Sequence, residues 1–147
     1  AVSALANGGK LMTPYIVSQI IKNDGKIETF KPQEVKQVIS AKTATTISGM
    51  LVSVIENGHS KGAKIDGYRI AGKTGTAQVA NKSSGGYSSD VNTSFISYGP
   101  FSDPVYAMIV RIDKPQWGKT GEAVAVPVAT DIAKFILQYY NVPYDNK

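Results

Sequence analysis

The stretch Gly67-Tyr68-Arg69-Ile70-Ala71-Gly72-Lys73-Thr74-Gly75-Thr76-Ala77 constrains this chain most, because its two readings demand opposite folds. Gly67 through Thr74 fits G-x-x-x-x-G-K-[ST], the spacing of a phosphate-binding loop. Such a loop needs a buried strand before its first glycine and a helix starting at the Lys-Thr pair. The loop amides and the helix N-terminus then hold the phosphates. Neither element is indicated. Upstream, Asn57 to Asp66 is polar and turn-rich; downstream, Gly75 follows Thr74 at once and the chain runs into serines and glycines. The spacing is a coincidence, and Tyr68 to Val79 reads as an extended strand.

That strand has chemical capacity. Alternation puts Lys73, Gly75 and Ala77 on one face and Thr74 and Thr76 on the other. At a sheet edge, its free N–H and C=O groups can pair with an extended peptide. Gly75 lets a substrate approach the backbone closely. Lys73 brings a cation towards a carboxylate or a nucleophile, and the threonine hydroxyls can donate to a carboxylate. A backbone N–H of the strand can form half of an oxyanion hole. The same residues also suit a plain edge strand with solvated side chains, so the flanking sequence has to decide.

Composition removes several classes. At 147 residues the chain is one domain's worth, and 42% hydrophobic with 18% charged residues is ordinary for a globular protein. Sixteen basic against eleven acidic residues give +5, but the lysines are scattered, which argues against a nucleic-acid face and suits an anionic ligand. There is no cysteine, so thiol catalysis, disulfides and cysteine zinc sites are excluded. His59 is the only histidine and lies in a turn, and Asp24, Asp66, Asp90 and Asp113 form no cluster in sequence. Neither a metal nor a cofactor is expected. No apolar run approaches the ~20 residues of a membrane-spanning helix.

The remaining pattern predicts helix, hairpin, helix, three strands, helix. Ala1 to Gly9 reads as the last turns of a helix with a glycine stop, as in a segment cut from a longer chain. Lys10 to Ile21 and Lys26 to Phe30 form a hairpin about Asn23-Asp24-Gly25, and a linker follows around Pro32. Ser40 caps a helix with Ile47, Met50, Leu51, Val54 and Ile55 on its apolar stripe, ended by Gly58. Asn81 to Asp90, with Ser83-Ser84-Gly85-Gly86, is a loop; Thr93 to Tyr98 and Val105 to Ile112 are strands. The last strand is apolar on both faces, which predicts a sheet covered on both sides. Pro127 opens a final helix bearing Val128, Ile132, Phe135, Ile136 and Tyr139 on one stripe, with Tyr139-Tyr140 as core contacts. The fold class is α/β of the α+β type, an antiparallel sheet flanked by helices.

Four stretches together carry a family resemblance. They are Ala4-Leu5-Ala6-Asn7-Gly8-Gly9 with Thr13-Pro14-Tyr15-Ile16-Val17; Gly67 to Gln78; Ser94-Phe95-Ile96-Ser97-Tyr98-Gly99-Pro100; and Val124-Ala125-Val126-Pro127-Val128. A Gly58-His59-Ser60-Lys61-Gly62 turn precedes the second. Lys73-Thr74-Gly75-Thr76 is a form of the K-T-G signature of penicillin-recognising serine enzymes. In order and near-spacing, the chain resembles the C-terminal half of the transpeptidase domain of class B penicillin-binding proteins, with residues 1–147 a partial domain of β-lactamase/transpeptidase-like fold.

The resemblance implies a serine-type peptidoglycan D,D-transpeptidase that cross-links cell-wall peptides and binds penicillin. Its partners would be the D-Ala-D-Ala stem peptide and β-lactams. Its place would be the extracytoplasmic side of the bacterial envelope, anchored in the membrane by a segment absent here. It further implies that Lys73 supports the active-site network and the substrate carboxylate, that Thr74 and Thr76 bind the carboxylate, and that the Thr76 N–H completes the oxyanion hole beside Gly75. The family's S-x-x-K and S-x-N motifs are missing: no serine here has lysine three residues on, and Ser89-Asp90-Val91-Asn92 is spaced wrongly. This chain therefore supplies the substrate strand without the nucleophile. A β-lactam sensor or β-lactamase relative, and a non-catalytic peptide-binding module, remain as other classes. In the family, the strand matching Val105 to Ile112 is paired on its far side by the other half. Here its edge is expected to be covered by that half, by a second copy, or by a swapped Lys10 to Phe30 segment.

Overall fold

The computed structural model describes residues 1–81 and 85–145. Its elements are helix α1 (Val2–Ala6), strands β1 (Lys10–Met12), β2 (Gln19–Ile21), β3 (Ile27–Thr29) and β4 (Glu34–Gln37), and helix α2 (Ala41–Glu56). A 3-10 turn at Lys61–Ala63, strands β5 (Ala71–Ala80), β6 (Tyr87–Gly99) and β7 (Tyr106–Asp113), and helix α3 (Gly121–Tyr139) follow. The class is α+β, as expected. Among the described residues no helix is long and apolar enough to cross a membrane.

Strands β5, β6 and β7 form one antiparallel sheet in that order, with Lys73 opposite Ile96 and Gly75 opposite Ser94. Among the described residues, the strand that carries Lys73-Thr74-Gly75-Thr76 is therefore an edge. α3 lies on one face of the sheet, where Phe95, Ile70, Val126, Ala129 and Leu137 are buried together. α1 and α2 lie on the other, where Val52, Ala71 and Tyr98 meet Val2 and Leu5. Ser40 caps α2 by accepting from the Thr43 amide at 3.1 Å.

The hairpin forms with a narrower reach than the sequence suggested. β2 and β3 pair across Asn23-Asp24-Gly25; the Gly25 amide donates to Lys22 O at 2.9 Å, and Gly25 takes φ +80° as a three-residue loop of this kind requires. Lys10–Met12 instead pairs with β4, a strand that the sequence did not suggest and that follows the expected linker around Pro32; Lys10 to Phe30 is not swapped onto β7. The predicted loop over Asn81 to Asp90 is shorter, because β6 starts at Tyr87; Ser83 and Ser84 lie outside the described residues.

On α3 the inward face differs from the one that apolar spacing suggests, while on α2 it is only rotated: Ile55 of the expected stripe is buried and Ile47, Leu51 and Val54 are half-buried. On α2 the buried positions are Ala44, Ser48, Val52 and Ile55, while Met50 is exposed. Ser48 fits there because its hydroxyl bonds Ala44 O and the Tyr98 hydroxyl, each at 2.8 Å. α3 starts six residues before Pro127, capped by Thr120, whose hydroxyl accepts from the Ala123 amide. Pro127 sits on the exposed side within the helix, where the bond it cannot donate is lost next to solvent. The helix presses Ala125, Ala129 and Ala133 onto the sheet, with Val124, Val126 and Leu137 buried beside them. The expected stripe of Val128, Ile132, Phe135 and Tyr139 faces outward, and Tyr140 is equally exposed, so neither tyrosine is a core residue.

β7 alternates as expected, but only one of its faces is well covered. Tyr106, Met108, Val110 and Ile112 pack against the α3 core, while Ile109, on the other face, is 65% exposed. Among the described residues no strand pairs with the outer edge of β7.

The Tyr106 hydroxyl is buried without a hydrogen-bond partner among the described residues. Burial pushes its pKa up to about 12, with the neighbouring Ser97 hydroxyl drawing it back slightly. The folded state thus holds this proton more tightly than the unfolded chain, whose tyrosines titrate near 10.0. The contribution is intact below pH 10 and is lost as pH rises towards 12. Tyr106→Phe should reduce the alkaline loss of stability by about 1–3 kcal/mol and leave neutral-pH stability equal or slightly higher. Urea titrations of both proteins on either side of the window test this; an equal alkaline loss in both would contradict it.

Candidate functional site

The site is built along the open edge of β5. Ala71 and Gly72 are buried, Lys73 and Thr76 are exposed, and Thr74 and Gly75 are half-buried, so the strand emerges from the core as the signature begins. Gly75 shares a face with Ser94: a Cβ at Gly75 would meet Ser94 Oγ at 2.6 Å. Thr74 and Thr76 project to the other face, towards the start of α3. The expected division of faces is present, with the four residues succeeding one another along the strand's free edge and alternating between its faces. No helix begins at Thr74, so the phosphate-loop geometry is absent.

Lys73 Nζ donates to Thr74 O at 2.9 Å, which folds the ammonium along the strand it belongs to. Thr76 Oγ1 accepts from the Gly121 amide at 3.4 Å. That contact occupies the hydroxyl as an acceptor and leaves its own O–H to donate outward. It also sets Thr76 at the positive end of a 19-residue helix, where partial charge favours an anion. Lys73 and the α3 N-terminus therefore place positive potential along one edge, beside two hydroxyl donors and strand amides that have no ladder partner among the described residues. The arrangement can hold a carboxylate while an extended peptide adds to the strand.

Sequence reasoning missed the Gly121 contact. Its signal was Thr120-Gly121-Glu122, a capping threonine with an acidic residue in the first turn, overshadowed by Pro127 as a supposed start. Gly121 allows the approach: a Cβ there would meet Ser94 O at 2.7 Å and Gly75 O at 3.1 Å. Arg69, Arg111 and Trp117 stand apart from the signature. Arg69 lies 4.5 Å from the Phe101 ring centroid and 3.8 Å from Glu56, Arg111 pairs with Asp113 at 2.7 Å, and Trp117 is exposed.

The sequence matches the penicillin binding protein transpeptidase domain over residues 1–134. The chain belongs to that family. The penicillin-binding protein PbpB of Mycolicibacterium smegmatis is 36% identical over 149 residues, covering 95% of this chain and 23% of PbpB. A peptidoglycan D,D-transpeptidase FtsI homolog of Mesostigma viride is 33% identical over 157 residues, covering 96% of this chain and 26% of that protein. The crystal structure of penicillin-binding protein 3 from Mycobacterium tuberculosis in complex with ampicillin superposes with a TM-score of 0.86 at 30% identity. It covers 99% of this chain and 34% of that one. The chain thus spans about a quarter of the curated relatives it matches. As a transpeptidase-family segment it contains the whole of β5, β6 and β7 within the matched residues.

If β5 sets the position of the α3 N-terminus, crowding their contact should be costly. Gly121→Ala is expected to destabilise the protein by about 1–3 kcal/mol through overpacking. Gly49→Ala in α2, where nothing lies within 4 Å of the new Cβ, should be neutral or stabilising. Chemical denaturation of the two variants separates them; equal effects would mean that the β5–α3 contact is loose.

Proposed function

We propose that this chain is the substrate-strand portion of a peptidoglycan D,D-transpeptidase, a serine acyl-transfer enzyme that cross-links stem peptides and is acylated by β-lactams. The observation that carries the reading is the open edge of β5, with Lys73, Thr74 and Thr76 following one another along it and the α3 N-terminus behind Thr76. In this reading Thr74 and Thr76 hold the terminal carboxylate of D-Ala-D-Ala or of the β-lactam that mimics it. Lys73 supports the reacting network electrostatically, and the Thr76 N–H, beside Gly75, stabilises the oxyanion. The ampicillin complex of the M. tuberculosis relative and the D,D-transpeptidase name of the M. viride relative support the substrate class. The enzyme would act in the bacterial cell envelope, outside the cytoplasmic membrane.

The nucleophile comes from elsewhere in the protein, because none of the serines here has lysine three residues on. Two uncovered surfaces support a larger domain around residues 1–147: the free edge of β7 and the outward Val128, Ile132, Phe135 and Tyr139 face of α3. The missing half of the domain would cover them, and a second copy would do so in the isolated chain.

Intact-mass measurement after incubation with a penicillin tests the reading. The 147-residue chain should gain no adduct, and the full-length protein should gain one per molecule. Lys73→Ala in the full-length protein should slow acylation by roughly 10²–10³, the usual cost of one lost oxyanion-type contact. A stoichiometric adduct on the 147 residues, or an unreactive full-length protein, would contradict it.

A further inference from the structure

The segment that follows α3 returns to the start of the signature strand. Asp145 gathers three backbone amides from two separate segments: its Oδ2 accepts from Phe101 N at 2.9 Å and Arg69 N at 3.3 Å, and its Oδ1 from Ser102 N at 3.2 Å. The Asp145 amide donates to Gly67 O at 2.9 Å, and the Tyr68 hydroxyl donates to Val142 O at 2.6 Å. The Tyr68 and Tyr144 rings meet edge-on at 5.2 Å. Tyr144 lies so close to Gly67 that a Cβ there would overlap its ring, and Gly67 takes φ +84°. This segment lies beyond the residues matched to the family.

We propose that Asn141–Asp145 is a latch that fixes the entry of β5, and that Asp145 is a positioning residue for the row at Lys73 to Thr76. The physical need comes from the edge. A central strand is held by neighbours on both sides, whereas β5, among the described residues, is hydrogen-bonded to β6 alone. Its free side has to stay free for a peptide, so its position must be fixed from its ends and faces. Arg69 is four residues, or about 13 Å of extended chain, upstream of Lys73, and a paired strand transmits a displacement of its entry along its length. One carboxylate ties that entry to Phe101 and Ser102, just past the end of β6, so both strands of the pair are referenced to the same point. The Phe101 amide also donates to Arg69 O at 2.8 Å, and the Arg69 guanidinium covers the Phe101 ring, which closes the junction.

The catalytic consequence rests on the transpeptidase reading above; the structural one does not. In the full-length protein, Asp145→Ala removes the acceptor of three amides, and acylation of the fraction that reacts should slow about tenfold, equivalent to about 1.4 kcal/mol. Asp145→Asn keeps one acceptor oxygen and should recover much of the rate. Hydrogen exchange of the Ala71 to Thr76 amides should speed up in Asp145→Ala, with the interior of α3 unchanged. A merely stabilising contact would lower the end-point fraction acylated or the melting temperature while the rate constant of the reactive fraction stays the same. That result would overturn the proposal. If the wild-type protein takes no adduct, the transpeptidase reading fails, and the exchange measurement alone decides the latch: unchanged protection of Ala71 to Thr76 would overturn it.

Discussion

The pairing of β5 with β6, on one side only, is the interaction on which the rest of this structure depends. Backbone hydrogen bonds fix Lys73 opposite Ile96 and Gly75 opposite Ser94, and that register sorts the signature into two faces. A slip of one residue would turn Lys73 towards α3 and both threonines away from it. The opposite side of β5 must carry unpaired amides if an extended ligand is to add there. An exposed edge is a hazard for association, and here it is tolerated where polar side chains, Lys73, Thr76 and Gln78, occupy it.

Close approach governs the layers around that strand. α3 meets the sheet through Ala125, Ala129 and Ala133 and through Gly121 at its start, so its axis can lie near enough for the Gly121 amide to reach Thr76. Larger residues at these positions would lift the helix and separate its positive end from the threonine row. The same economy explains Ser48 on α2: a small polar residue is buried because Tyr98 and the Ala44 carbonyl satisfy its hydroxyl.

Local chemistry was legible in the sequence where a single residue forces the geometry. Gly75 directly after Thr74 ruled out a helix, Asp24-Gly25 located the β2–β3 turn, and Ser40 located the start of α2. Features that depend on distant partners were not. β1 pairs with β4 across the intervening hairpin, a choice no local pattern encodes. Apolar spacing points to the Val128, Ile132, Phe135 and Tyr139 stripe of α3, whereas its inward face mixes Ala125, Ala129 and Ala133 with Val124, Val126 and Leu137, and the stripe faces outward. Pro127 misled for a related reason: a proline on the exposed side of a helix sacrifices one bond next to water and need not mark its beginning. The Asp145 junction could not be read at all, since its donors are main-chain amides from residues 69, 101 and 102.

In the proposed function the free edge of β5, with Thr74 and Thr76 beside it, receives the carboxylate of the acylating ligand. A crystal structure of the full-length protein acylated by a penicillin tests this most directly. The ligand is expected to lie along β5, with its carboxylate within hydrogen-bonding distance of the Thr74 and Thr76 hydroxyls. A ligand bound through other residues, with the β5 edge unoccupied and both threonines uninvolved, would contradict it.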